Sequence, residues 1–298
     1  MQPDFTRPYL IVIGTSHTDG ACTDPAYPMN SIAANERWAT KLGVHLGYTV
    51  YNLSRPGVIN ERITQILNDV FDLWDLTKCK GILIEGRLND AGSAFIYSAF
   101  NDYERFVDPK KLQRDIYSTT YYHKQDWAFN EFFSVYAGGK VVKPNYIQGL
   151  LKKPFGSIDT IPDQAVKDLD NYLEHRANFY HRTDHQFWDD VCEIRNWQQM
   201  CKLAGVPFKW FSWTKIRDAE GMLVDYMIKE YSNVFDDNLL QESENRVKGL
   251  WEYFLEMGYK NNDPEIHCEC KHLNALGNQI AYDILEPKID NWLMESNG

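Results

Sequence analysis

Three short apolar runs, each followed at once by polar, glycine-containing sequence, constrain this chain more than any other feature. Tyr9–Gly14 (YLIVIG), Thr49–Leu53 (TVYNL) and Gly81–Glu85 (GILIE) are rich in aliphatic and β-branched residues. Strands covered on both faces read this way, because neither face needs to be polar. Two stretches with helical spacing separate them. One runs from about Ser31 to Leu46, with Ile32, Asn35, Trp38, Leu42 and His45 on one face and Gly47 as a C-cap. The other, Ile59–Leu76, repeats apolar residues at Ile63, Ile66, Leu67, Val70 and Leu73. Strand, helix, strand, helix, strand at this pitch predicts a parallel sheet with helices on both faces. The expected fold class is α/β, with a parallel sheet between two layers of helices.

Beyond Asp90 the rhythm breaks. Residues 90–160 are dense in Tyr, Phe and Trp and read as an insertion of short helices and loops over the sheet. Helical, highly charged sequence follows from about Pro162 to Ala204, then Phe208–Trp213 (FKWFSW) reads as a fourth strand. A second, acidic helical insertion is expected over about 218–258. A closing helix is expected from about Asn274 to Leu285, with Leu276, Ile280 and Ile284 on one face. The length of 298 residues fits one large domain or two small ones.

The formal net charge is −11, which argues against nucleic acid or an anionic membrane surface as a partner. No stretch approaches the ~20 apolar residues of a membrane span. Leu10–Ile13 is too short for the apolar part of a secretory leader. Six scattered cysteines suit free thiols better than a disulfide framework. A soluble, cytoplasmic protein is the expectation.

Chemistry gathers at the ends of the apolar runs, where ligand sites in open α/β sheets lie. Gly14-Thr15-Ser16-His17-Thr18-Asp19-Gly20 follows the first, Asn52-Leu53-Ser54-Arg55-Pro56-Gly57 the second, and Gly86-Arg87-Leu88-Asn89-Asp90 the third. A Ser at such a position can present its hydroxyl to a crevice, and Gly N–H and Asn amide groups suit a developing oxyanion. Near the other end, Glu269-Cys270-Lys271-His272-Leu273-Asn274 places an acid three residues before a His. That spacing allows the acid to meet Nδ1 and leaves Nε2 to act as a base on a hydroxyl. Taken singly, each is an ordinary polar turn or an exposed Glu–His pair.

In order along the chain, these four blocks resemble those of the SGNH (GDSL-like) hydrolases, which contribute Ser, Gly, Asn and His. The resemblance covers about 1–90 and 260–290. The first block is IVIGTSHTDG, and the last, HLNALGNQIA after an acid, is the most specific. The resemblance implies Ser16 as nucleophile, His272 as base and Glu269 as the acid orienting it. It implies an oxyanion hole from Ser16, Gly57 and Asn89. It also implies a three-layer α/β/α, flavodoxin-like parallel sheet and one domain over 1–298, because blocks that bracket the chain must meet in a single fold. Thr15 stands where the family has Asp, Leu273 where it has Pro, and Glu269 where Asp is usual. Arg87 stands where the Gly of the third block would fall, unless Gly86 fills that role with one residue inserted. Arg87 and His17 are candidate substrate contacts.

The implied reaction is ester hydrolysis through an acyl-enzyme, with no cofactor and no metal. The aromatic cover and acidic surface favour a neutral carbohydrate O-acyl ester, with lipid esters and thioesters as alternatives within the family. A catalytically idle binding or structural protein on the same scaffold is the alternative from another class. His267, Cys268, Cys270 and His272 are spaced too tightly for the usual zinc pairs, and His181 and His185 at i,i+4 read as a solvated helix face. Cys192 and Cys201 are expected on core-facing helix positions. Tyr121, Tyr122, Trp127, Phe129, Phe132 and Phe133 are expected mainly as core, since adjacent aromatics cannot all face one ligand.

Overall fold

A computed structural model describes residues 5–20, 33–54, 58, 60–88, 185–213, 226, 228–242 and 248–297, three helical positions at 164, 167 and 171, and the backbone of four strands between 91 and 136. The apolar runs form β1 (Tyr9–Ile13), β2 (Thr49–Asn52), β3 (Cys79–Gly86) and β8 (Phe208–Ser212). All of β1 and β2 is buried, as strands without a polar face must be. β1 pairs in parallel with β2 and β3, and β3 pairs in parallel with β8. The protein is therefore an α/β fold built on a parallel sheet.

Helices cover both faces. Alternation along β1 sends Tyr9, Ile11 and Ile13 to one face and Leu10 and Val12 to the other. On the first face lie α3 (Asn60–Leu73) and α4 (His185–Ala204). α4 buries Phe187, Val191, Ile194, Trp197 and Cys201, successive steps of three and four along one stripe. On the second face lie α2 (Trp38–Leu46), α6 (Leu250–Glu256) and α7 (Ala275–Asn297).

Several expectations need correction. The region 90–160 is not simply short helices and loops: it supplies β4 (Ala91–Phe95), β5 (Leu112–Arg114), β6 (Thr120–His123) and β7 (Phe132–Tyr136). β6 adds in parallel to the free edge of β2, and β5 pairs antiparallel with β6. β4 and β7 form a separate antiparallel pair. Aromatic and β-branched sequence such as TYYH and FFSVY favours strands, and here that preference prevails. Tyr121 and Tyr122 fall in β6, and Phe132 and Phe133 in β7, whereas Trp127 and Phe129 lie outside the described residues.

The second expected insertion is partly core. Val234 and Phe235 of the short α5 (Ser232–Phe235), with Leu240, Leu250 and Phe254, are buried. Trp210 on β8 donates its indole N–H to Val234 O at 2.8 Å. α7 runs far beyond Leu285, through Pro287, because Ile289, Trp292 and Leu293 continue its buried stripe. α2 starts later than expected, at Trp38 after a short 3₁₀ turn over Ala34–Glu36. His45 lies not on its buried face but on its exposed side, 2.9 Å from both Glu286 and Asp290 of α7. Cys201 is buried but Cys192 is exposed. No helix among the described residues is long and apolar enough to cross a membrane.

Candidate functional site

The strand order β2-β1-β3-β8 sets the carboxyl ends of β1 and β3 side by side, where ligand sites in open α/β sheets lie, and the first block follows β1 there. Thr15 caps the single helical turn α1 (Ser16–Asp19): its Oγ1 accepts the His17 N–H at 3.4 Å, and Gly20 closes the turn by donating to Ser16 O at 3.0 Å. Ser16, 8% exposed, is the first helical residue. Its amide is one of those that a helix start leaves without an intrahelical partner.

This loop is tied to its neighbours by groups that sequence reasoning missed. Glu85, at the end of β3, is completely buried. It accepts the Thr15 N–H at 3.0 Å and the Thr15 hydroxyl at 2.5 Å, and Thr18 Oγ1 donates to it as well. Burial raises the Glu85 pKa, opposed by these bonds and by the nearby Arg87 charge. Only glycine permits the approach at position 14: a Cβ there would lie 2.7 Å from Glu85 Cβ. From β2, Asn52 donates to Thr18 O and accepts the Ser54 N–H, both at 3.0 Å. Asn60 of α3 grips the third block, donating to Arg87 O at 2.6 Å and accepting the Arg87 N–H at 2.9 Å. Asn60 also donates to Asp190 at 2.8 Å, which carries the connection to α4. The one hint in sequence is a polar residue closing each apolar run.

The last block is a tight hairpin. His267 and Leu273 form an antiparallel bridge, the Cys268 N–H donates to His272 O at 2.8 Å, and Lys271 takes a positive φ of 69° at the turn. Asn274 then caps α7, accepting the Gly277 N–H at 3.0 Å while donating from its amide to Glu265 O at 2.8 Å. At Gly277 a Cβ would lie 2.4 Å from Ile266 O, so the hairpin rests directly on helix backbone. Asn278 accepts the Trp38 N–H at 3.3 Å and joins the block to α2.

These elements bring the two ends of the chain together. The rings of His17 and His272 lie 5.5 Å apart between centroids, and His17 stacks on Trp213 at 4.1 Å with planes 7° from parallel. Trp213 in turn meets Trp251 and Phe254. The buried Nδ1 of His17 has no hydrogen-bond partner among the described residues. Burial, followed by the charges of His272, Arg87 and His267, holds His17 well below the usual histidine pKa, so it stays neutral. Arg87 is only 9% exposed, and its charge reaches both His17 and Glu85.

His17 thus brings the segment of Ser16 beside His272, but no hydrogen bond joins Ser16 and His272 among the described residues. Catalytic hydrogen bonds are often long before substrate is bound. The acid expected to orient His272 is not the group found at its Nδ1. Glu269 is exposed, and Nδ1 of His272 instead lies 3.4 Å from Cys270 Sγ. The reason is local: an i,i+3 meeting requires a helical turn, and this segment is a hairpin. Gly57, Asn89 and His181 lie outside the described residues, as does the side chain of His185. The one group of three or more His, Cys, Asp or Glu ligand atoms that converges among the described residues is His45, Glu286 and Asp290. His267, Cys268, Cys270 and His272 do not form one. Comparisons with protein-family models, curated proteins and solved structures found no match for this chain.

Proposed function

We propose that the protein is a serine hydrolase of the SGNH type that cleaves carboxylic esters, with an O-acyl ester of a carbohydrate as the favoured substrate class. One observation supports the reading: the ring of His17, the neighbour of Ser16 in sequence, lies 5.5 Å from that of His272, so the segments bearing the resemblance's nucleophile and base adjoin. In this mechanism His272 Nε2 takes the Ser16 proton as Oγ attacks the ester carbonyl. Expulsion of the alcohol leaves an acyl-enzyme, which water activated by the same His hydrolyses. The oxyanion is held by the Ser16 N–H, with Gly57 and Asn89 as the further donors that the resemblance supplies.

A fluorophosphonate probe tests the nucleophile directly. The wild-type protein is expected to be labelled and Ser16→Ala not, with turnover of p-nitrophenyl or acetylated-sugar esters falling by about a thousandfold or more. Absence of labelling where a known serine esterase reacts overturns the proposal. It would favour the second reading, a catalytically idle scaffold, which draws on the unbonded Ser16–His272 pair and the exposed position of Glu269. Lipid esters and thioesters stand as alternative substrates, and the ester panel separates them.

A further inference from the structure

We propose that Cys270 is the positioning residue for His272, its sulfur occupying at Nδ1 the place the resemblance gives to an acid. The inference rests on Ser16 and His272 acting as nucleophile and base. Three features support it. Nδ1 and Sγ lie 3.4 Å apart, within reach of a sulfur hydrogen bond. The segment holding them is fixed at both ends: Cys268 N–H donates to His272 O, Lys271 N–H donates to Cys268 O at 2.9 Å, and Asn274 and Gly277 seat the hairpin on α7. The residue between Cys268 and Cys270, Glu269, is exposed, and it is the Cys270 sulfur that lies at Nδ1.

The surroundings give that sulfur something to do. The ring of His17 lies 5.5 Å from that of His272, and His267 sits on the same hairpin. When His272 accepts the Ser16 proton at Nε2, the new imidazolium needs an acceptor facing its Nδ1–H. Before that step, an Nδ1–H donated to sulfur fixes the tautomer in which Nε2 is the free acceptor. Sulfur is a weaker acceptor than carboxylate, so the device is a modest form of the usual triad. It also makes the enzyme sensitive to thiol reagents: alkylating Cys270, which is partly exposed, removes the acceptor and crowds the ring.

The experiment measures the rate of fluorophosphonate labelling of Ser16 with and without prior iodoacetamide. Cys270→Ala should slow labelling about tenfold or more, less than the loss of a true triad acid, without altering the thermal unfolding midpoint. Cys270→Asp should restore the rate and make it indifferent to iodoacetamide. Cys192→Ser, which removes the exposed thiol on α4, should leave both rate and sensitivity as in the wild type. A Cys270→Ala protein that labels at the wild-type rate overturns the inference while leaving the hydrolase reading intact. So does a tenfold loss confined to Glu269→Gln, which would return the role to the acid. A wild-type protein that is not labelled at all overturns both.

Discussion

The two halves of the site are built by opposite means. The loop after β1 is held by long-range bonds to a buried carboxylate 70 residues away and to the amide of Asn52. The hairpin bearing His272 is held by bonds spanning fewer than ten residues. The first arrangement exists only if the sheet does, because Glu85 reaches Thr15 and Thr18 only across the β1–β3 ladder. The second depends chiefly on the start of α7. Damage to the sheet should therefore loosen the Ser16 loop first, and damage to the cap of α7 should displace His272 first.

Glu85→Ala should break this contrast most strongly. It strands the Thr15 amide and two hydroxyls in the core, at an expected cost of about 3 kcal/mol or more in urea unfolding. Glu85→Gln keeps an acceptor and sharpens the point through pH. Because burial raises its pKa, the folded protein binds this proton more tightly than the unfolded chain does. The stability it contributes is full below the ordinary carboxylate range and declines as pH rises through the raised value. The Gln variant should flatten that decline at pH above the ordinary carboxylate range.

Gly277→Ala comes next. Helix propensity favours Ala by about 1 kcal/mol, but the contact with Ile266 O should cost more. A net loss of about 1–2 kcal/mol is expected, with fluorophosphonate labelling falling further than stability because the His272 hairpin moves. Asn274→Ala removes a helix cap and should cost about 1 kcal/mol. The smallest effect is expected at His45, whose side chain is 41% exposed. Its hydrogen bond to Asp290 raises its pKa, so its contribution is full below the unperturbed histidine value and lost as pH rises through the raised one. His45→Ala should change stability at acid pH by only a few tenths of a kcal/mol, as exposed pairs do.

Strands β1, β2, β3 and β8 were legible because a strand covered on both faces must be apolar throughout, and local sequence carries that signal. α3 was legible for the matching reason, a stripe at helical spacing. β6 was not, because the edge it joins is visible only once β2 is placed. Within the site, Ser16 and His272 could be singled out by type and position. Glu85 read only as the end of an apolar run, since nothing within its own window shows partners at Thr15 and Thr18. Glu269 was misassigned because three-residue spacing was read as a helical turn, where a positive φ at Lys271 makes a hairpin and presents Cys270 instead.

By itself, the sequence determined the α/β class, the parallel strands and the positions where polar groups end them, since burial and periodicity act within a few residues. Tertiary structure alone decided which polar groups meet: the carboxylate beneath the Ser16 loop, the stacking of His17 on Trp213 and the sulfur beside His272. Hydrogen bonds and ring contacts depend on ångström-scale approach between segments up to hundreds of residues apart, and no local pattern encodes that distance.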